Sequence, residues 1–387
     1  MIPIAMIYSQ PEDAVAEIQY LEGRHYPISY IEMGEEADGQ YMSPEDNAAL
    51  YLQFATALHK LDPALKLGGP AFQGANEDIQ TLPDPQGRTS WLGRFLDYLK
   101  AHNRLQDLSF FSFEHYPFEP CKIPWSSLYQ EPDLIRHIMQ AWQSDGLPKD
   151  LPVFITESNL SSSASETYMD NFAGLWLADY IGSFLTAGGD GVYYFHYLPL
   201  QLDRGCNNSP GTFGMFTTNK DYTIDEPLSQ FFASELINTE WIQPGKEINT
   251  VFPASATVSD GAGHLMITAY ALHRPDHKWS LMLVNRDQET AHTIAVDFHD
   301  TTGQISHFTG DVDVITFGKE QYQWHPSIIS PMSHPEETGQ SVSVNSLGRA
   351  EPDGPLKRDT VSAPSDSRFA IPAASIVILR GDISTSH

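Results

Sequence analysis

The sequence predicts an α/β barrel of repeated strand–helix units, followed by an antiparallel β-sandwich. Three observations carry that reading. Up to residue 242, six short apolar runs each lead into a stretch of helical composition; such regular alternation builds either a doubly wound sheet or a barrel. None of the turns reads GxGxxG or GxxxxGK, as a doubly wound nucleotide site would require, so the barrel is preferred. From residue 243 the apolar runs alternate or shorten, with Gly, Asp, Asn and Pro between them, the texture of a β-sandwich. The expected domains are therefore 1–242, barrel, and 243–387, sandwich.

The elements follow in order. "IPIAMIY" has the length and apolarity of a strand, and the helical stretch after it carries Pro11 near its start. "ISYIEMG" is the second strand. "SPED" then gives a helix start, with Ser43 as cap, Pro44 at the first position and Asp46 three residues after the cap. Leu50, Phe54, Ala57, Leu58 and Leu61 follow at helical spacing. "LKLGGPAF", "LSFFSFEHYP", "LPVFITESN" and "GVYYFHYLP" are the remaining strands, and the helix after "TESN" closes on a Gly pair. All six runs are short and apolar, as strands of a parallel sheet covered on both faces should be. In the second half, "GHLMITAYAL", "KWSLMLVNRD", "HTIAVDFHD", "ISHFTG" and "AASIVILRG" read as sandwich strands. Residues 324–368, rich in Pro, Ser and Gly, read as one long loop.

Composition narrows the function. The chain of 387 residues is 41% hydrophobic and only 19% charged, enough for a large core and unlike a disordered chain. Its 50 acidic against 22 basic residues give a formal charge of −28, which repels nucleic acid and anionic membranes. No run approaches the length of a membrane span. No leader is visible at the start of the chain, and a secreted or periplasmic location is an expectation that a longer precursor would satisfy. Cys121 and Cys206 lack metal spacing and read as either free thiols or one disulfide.

In a β/α barrel the chemistry collects at the carboxyl ends of the strands. Read in order, those ends carry Tyr8 and Ser9; Glu35 and Glu36; Phe72 and Gln73; Glu114, His115 and Tyr116; Glu157 and Asn159; His196 and Tyr197. Two of them place a glutamate in a short polar turn, "GEE" and "TES", three strands apart. In an eight-stranded barrel such positions face one another. Opposed carboxylates suit glycoside hydrolysis, which needs a proton donor for the leaving oxygen and a second carboxylate on the far side of the sugar. The donor must be protonated and the nucleophile ionised at working pH, and a neighbouring acid such as Glu35 raises a donor's pKa by like-charge repulsion.

"YIEMGEE" resembles the strand-four signature of the retaining glycoside hydrolases of clan A, an aromatic-x-E-I-G-N-E run whose last Glu is the acid/base. "VFITESN" resembles their strand-seven signature, which ends in the nucleophile, and "FEHY" resembles their strand-six end. The terminal "PAASIVILRG" is similar to the all-β domain of the β-xylosidase, iduronidase and glucosylceramidase-like branches. The resemblance implies Glu36 as acid/base and Glu157 as nucleophile in an enzyme that cleaves β-glycosidic bonds of a neutral oligo- or polysaccharide with retention. It implies substrate contacts from Glu35, His115 and Tyr116; strand-end position adds Asn159, His196 and Tyr197 as candidate substrate contacts, and Trp125, in the loop after "FEHYPFEPCKIP", is a candidate sugar-stacking platform. Glu35 stands where the clan usually has Asn, so it is a changed sugar contact or a pKa modulator. If "YIEMGEE" is strand four, the chain begins at strand three of a TIM barrel. An incomplete barrel would be closed by a second copy or a partner chain, or left open.

Other readings compete. A catalytically silent carbohydrate-binding relative fits an incomplete barrel. A metal-dependent barrel enzyme is ranked last, because the third strand ends in Phe72 and Gln73 without an acid; no metal or cofactor is expected. Glu114 is expected to turn toward the helix layer, and Trp142 and Trp176 to lie in the core.

Overall fold

The computed structural model describes residues 1–73, 76–119, 123–163, 166–198, 203–204, 210–218, 223–326 and 348–384. They form two compact units. The first comprises Met1–Pro117, Asp133–Asn159 and Ala187–Phe195; the second comprises Phe118–Pro132, Leu160–Thr186 and His196–His387. The expected boundary at 242/243 is a change of element type, since among the described residues regular structure after Trp241 is all strand. The compact units divide the chain along a different line.

The first unit is built on six parallel strands: β1 (Ile2–Ile4), β2 (Ile31–Met33), β3 (Leu67–Phe72), β4 (Phe110–His115), β5 (Val153–Ser158) and β6 (Gly191–Val192). They lie side by side in chain order. A doubly wound sheet reverses direction part-way, whereas a barrel wall does not. Among the described residues the sheet is an open wall, with β1 paired to β2 alone and β6 to β5 alone.

Two strand expectations shorten. The run "IPIAMIY" is a strand only to Ile4, then one 3-10 turn at Met6–Tyr8. "GVYYFHYLP" gives only two ladder residues, yet Tyr193 and Phe195 still donate their N–H groups to Ile155 and Ser158 oxygens, each at 2.8 Å. The chain thus keeps company with β5 without regular pleating.

The helices start where their caps predict. In α1 (Pro11–Gly23), Gln10 and Asp13 form a reciprocal capping box. In α2 (Pro44–Leu61), Ser43 Oγ accepts from the Asp46 N–H at 3.1 Å. Between the sheet and the helices α3 (Trp91–Ala101) and α4 (Glu131–Ser144) lies an aromatic layer. Trp91 meets Phe72 at 5.0 Å between ring centroids, and Trp142 meets Phe111 at 5.3 Å and Phe113 at 5.6 Å. Trp142 and Trp176 are wholly buried.

The second unit centres on a six-stranded antiparallel sheet. Its chain-order strands are β7 (Thr250–Phe252), β8 (Ile267–His273), β9 (Trp279–Asn285), β10 (Phe308–Gly318), β11 (Lys357–Ser362) and β12 (Ser375–Ile383), arranged β7-β8-β9-β12-β10-β11. One face packs Ile267, Leu281, Leu283, Val377 and Leu379 with Phe369 and Ile371 of a two-stranded sheet, His292–Ala295 with Arg368–Ile371. The other face carries Thr268 and Tyr270 toward helix α5 (Asn171–Thr186), where both hydroxyls donate to Asp179. The sandwich strands expected from Ile267 to Gly318 and at Ser375–Ile383 are present.

The long loop expected over 324–368 is corrected in part. Strands occupy Tyr322–Pro326, Gly348–Asp353 and Lys357–Ser362; residues 327–347 lie outside the described residues. β11, Lys-Arg-Asp-Thr-Val-Ser, is exposed at every position and lies at the sheet edge. An edge strand with solvent on both faces needs no apolar alternation, so it leaves no pattern to read. Among the described residues, no helix is long and apolar enough to cross a membrane.

Candidate active site

The opening "GEE" turn is fixed by a close approach of two strands. Gly34 has φ +131°, and a Cβ there would lie 2.6 Å from the Pro70 oxygen. Gly69 has φ +134°, and a Cβ there would lie 2.5 Å from the Met33 oxygen. Only glycine allows both the backbone conformation and the contact. Beyond this contact, Glu36 takes φ 46° and donates its N–H to the Ala71 oxygen at 2.8 Å. Ala71 itself has φ 54° and is the extra residue of a bulge between β3 and β4. Its N–H turns to Ser112 Oγ, at 3.2 Å. Left-handed backbone at a non-glycine residue costs about 1–3 kcal/mol, and here two such residues meet through one hydrogen bond.

A second bulge aims Glu157. In β5, Phe154 faces Phe110 and Tyr30, whereas Ile155 is on the other side. Strict alternation would send Glu157 with Ile155 to the helix layer. The register, however, pairs Phe113 with Ile155 and then Glu114 with Glu157, so β5 spends two residues, Thr156 and Glu157, against one of β4. The bulge turns Glu157 to the face that carries Ser112 and Glu114. Parallel neighbours lie about 4.8 Å apart, so these two carboxyl groups are side by side.

That face is layered. Its lower layer is aromatic: Tyr30 and Phe110 at 5.2 Å, Phe110 and Phe154 at 5.6 Å. Above it lies Glu32, close enough to Ser112 and Thr156 for both side chains to act on it. Above that come Glu36, Glu114 and Glu157, with Asp38 near enough to act on Glu114. Burial is the main cause that raises the pKa values of Glu32, Asp38 and Glu157. For Glu157, the Tyr116 hydroxyl and Glu114 oppose the rise, while the charges of Glu36 and Glu35 add to it. The Tyr116 hydroxyl bonds Glu157 Oε1 directly. Glu114 is pushed up to about 10, by burial first and then by Glu157, Glu36 and Asp38.

Glu114 corrects the expectation that it faces the helices. It is 3% exposed, is the register neighbour of Glu157, and lies close enough to Glu36 and Glu157 to act on both. The signal was in the sequence: Ser112 and Glu114 alternate as polar residues with Phe111 and Phe113, which mark the helix side. Glu32, two residues before Gly34, went unread for the same reason.

The remaining predicted residues fall in different settings. Glu35 is exposed and acts on Glu157 by charge. His115 is wholly buried, and its carbonyl accepts the Asn159 N–H at 3.1 Å. Asn159 is buried too. Its Nδ2 donates to the Phe195 carbonyl and its Oδ1 accepts from the Tyr194 hydroxyl at 3.2 Å, clamping the chain after β6 to the end of β5. Trp125, His196 and Tyr197 belong to the second unit. There Trp125 Nε1 donates to the Arg286 carbonyl at 2.8 Å and its ring meets Phe172 edge-on. His196 exchanges backbone hydrogen bonds with Phe213 and Met215, and Tyr197 is 62% exposed, its ring edge-on to Phe216. Cys121 and Cys206, and with them the question of a disulfide, lie outside the described residues.

Among the described residues, no group of three or more His, Cys, Asp and Glu side chains is arranged to hold a metal ion. A cleft of about 650 Å³ lies at the other end of the strands, lined by Tyr26, Tyr30, Asp62 and Lys66 among others, and holds none of the predicted residues.

Solved structures share this fold. The bifunctional glucanase-xylanase CelM2 from a metagenome library matches with a TM-score of 0.58 at 16% identity, over 92% of this chain and 64% of that one. The GH51 arabinofuranosidase from Xanthomonas axonopodis pv. citri matches with a TM-score of 0.64 at 12% identity, over 98% and 74%. The catalytic domain of the GH30 xylanase C from Talaromyces cellulolyticus matches with a TM-score of 0.55 at 14% identity, over 98% and 67%. The chain thus spans less than two thirds of the length of CelM2. No protein-family model matches the chain, and no curated protein does. The likeness is one of fold, and at that level the resemblance to clan A glycoside hydrolases is met.

Proposed function

We propose that the protein is a retaining glycoside hydrolase acting on β-linked neutral sugars, with Glu36 as acid/base and Glu157 as nucleophile. The observation that carries this reading is the joining of Glu36 and Glu157, 121 positions apart in sequence, into one carboxyl cluster with the Tyr116 hydroxyl on the nucleophile. The similar structures, a glucanase-xylanase, an arabinofuranosidase and a xylanase, support the same reaction class.

In the mechanism, Glu157 attacks the anomeric carbon while Glu36 protonates the departing oxygen. Water then hydrolyses the glycosyl-enzyme with Glu36 as base. Tyr116 holds Glu157 ionised by donating to the oxygen that does not attack. The test is turnover of a panel of aryl glycosides, including β-xylosides, β-glucosides and α-L-arabinofuranosides, with product configuration followed by NMR. Glu36→Ala is expected to retain activity on substrates with a good leaving group far better than on a natural glycoside, with partial rescue by azide. Equal losses on both substrate classes would remove Glu36 from the acid role.

A second reading is a carbohydrate-binding relative without turnover. One observation favours it: among the described residues, no strand joins β6 to β1. Sugar binding by calorimetry with no hydrolysis of any panel member would select it.

A further inference from the structure

Glu36, Glu114 and Glu157 present three carboxyl groups to one patch of the first unit's sheet face. Two are the proposed working pair; the third has no part in the usual two-carboxylate scheme. Glu114 is almost wholly buried and is the register neighbour of Glu157. Its side chain lies beside that of Glu157 on the same sheet face, close enough to Glu36, on the turn after β2, for the two to act on one another. The groups that act on it most strongly, Glu157, Glu36 and Asp38, are all acids. Two ionised carboxylates side by side and out of water repel, and each can only accept, so such a pair favours a proton between them. Besides the proton that Glu36 carries as the acid, a second therefore resides in this cluster, and the most deeply buried member, surrounded by acids, is where it costs least.

We infer that Glu114 is a positioning residue: a neutral carboxylic acid that donates its single hydrogen bond to Glu157 in the resting site and to Glu36 once Glu157 is esterified. This inference rests on the reading of Glu36 and Glu157 as the working pair. In the resting site the O–H of Glu114 stabilises the ionised nucleophile. After attack, Glu157 is a neutral ester, whereas Glu36 has given up its proton and carries the negative charge. The same O–H then serves Glu36 better, holding it as the base that activates water. The Glu114 proton is never transferred, so the proton count of the two chemical steps is unchanged.

The sign of one shift tests this. Removing a neutral donor raises the pKa of Glu157, so Glu114→Ala is expected to move the acid limb of kcat/KM to higher pH and to lower kcat/KM about tenfold, the size of one hydrogen bond to a charged group. Glu114→Gln keeps an N–H donor and is expected to leave the limb in place. If Glu114 were an ionised acid instead, both variants would remove a negative charge and move the limb to lower pH, which would overturn the inference. A second readout needs no turnover. Infrared difference spectra at neutral pH should contain a protonated-carboxyl band that Glu114→Gln abolishes. Loss of that band in Glu36→Gln but not in Glu114→Gln would place the proton elsewhere and refute it. Wild-type protein that shows the Glu114 band but no glycosidase activity would refute the hydrolase reading and leave the proton assignment standing.

Discussion

Each unit buries an acid, and they resolve the same difficulty in opposite ways. In the second unit Asp179 is fully buried on α5. Burial pushes its pKa up, but Arg286, at 3.1 Å, and the hydroxyls of Thr268 and Tyr270 all pull it back. In the first unit Glu114 is pushed by burial and then pushed again by three acids. Asp179 is neutralised by partners of the right charge and shape, which makes it part of the frame. Glu114 is neutralised by a proton, which leaves the surrounding carboxylates in tension. A frame can be rigid in this way, whereas a site that must shift charge during a reaction benefits from groups whose protonation is contested.

The largest expected effect breaks the first unit's side of this contrast. Glu157→Gln removes the nucleophile and is expected to lower kcat by about four orders of magnitude with the denaturation midpoint little changed. Activity that survives intact would end the assignment. The next effect breaks the other side. Arg286→Met leaves Asp179 buried without its cation and is expected to cost about 3–5 kcal/mol of stability, read from denaturant unfolding. Pairing it with Asp179→Leu should recover much of that loss. A null result would mean that the pair is solvated in solution.

Tyr116→Phe is expected to have a smaller effect on the site. It removes a donor that holds the Glu157 pKa down, so the acid limb of the pH–rate profile should move to higher pH, with a loss of about tenfold on that limb. Glu35→Gln is the smallest and has the opposite sign. The exposed Glu35 raises the Glu157 pKa by repulsion, so its removal should extend activity to lower pH. High salt should erase the Glu35 effect and spare the Tyr116 effect, because only the former is a screened surface charge. If both respond alike to salt, the geometry given to Tyr116 is wrong.

Much of this was legible in the sequence, for identifiable reasons. "SPED" announced α2 because a cap and a proline act locally. "GEE" and "TES" stood out because charged residues at the ends of apolar runs are rarely idle. What could not be read depends on register. Glu157 faces Glu114 only because Thr156 is bulged, and a bulge is decided by two strands 43 residues apart in sequence rather than by either alone. β11 escaped notice because it pairs with β10 with every side chain exposed, and a side-chain bond to β10 such as that from the Thr360 hydroxyl to Asp313 leaves no apolar pattern to read. The strand at Gly191–Val192 was overestimated because aromatic residues such as Tyr193, Tyr194 and Phe195 favour strands wherever they pack.

The contact between Gly34 and Gly69 also bears on how this sequence can vary. Neither glycine has a functional group, yet any side chain at either would have to displace a backbone carbonyl of the opposing strand, and the turn bearing Glu36 with it. In a saturation mutagenesis library selected for activity, both positions should accept glycine alone, like the reacting carboxylates themselves. The two classes would separate in a parallel selection for folded protein. Substitutions at Glu157 should pass that second screen, and those at Gly34 and Gly69 should fail it.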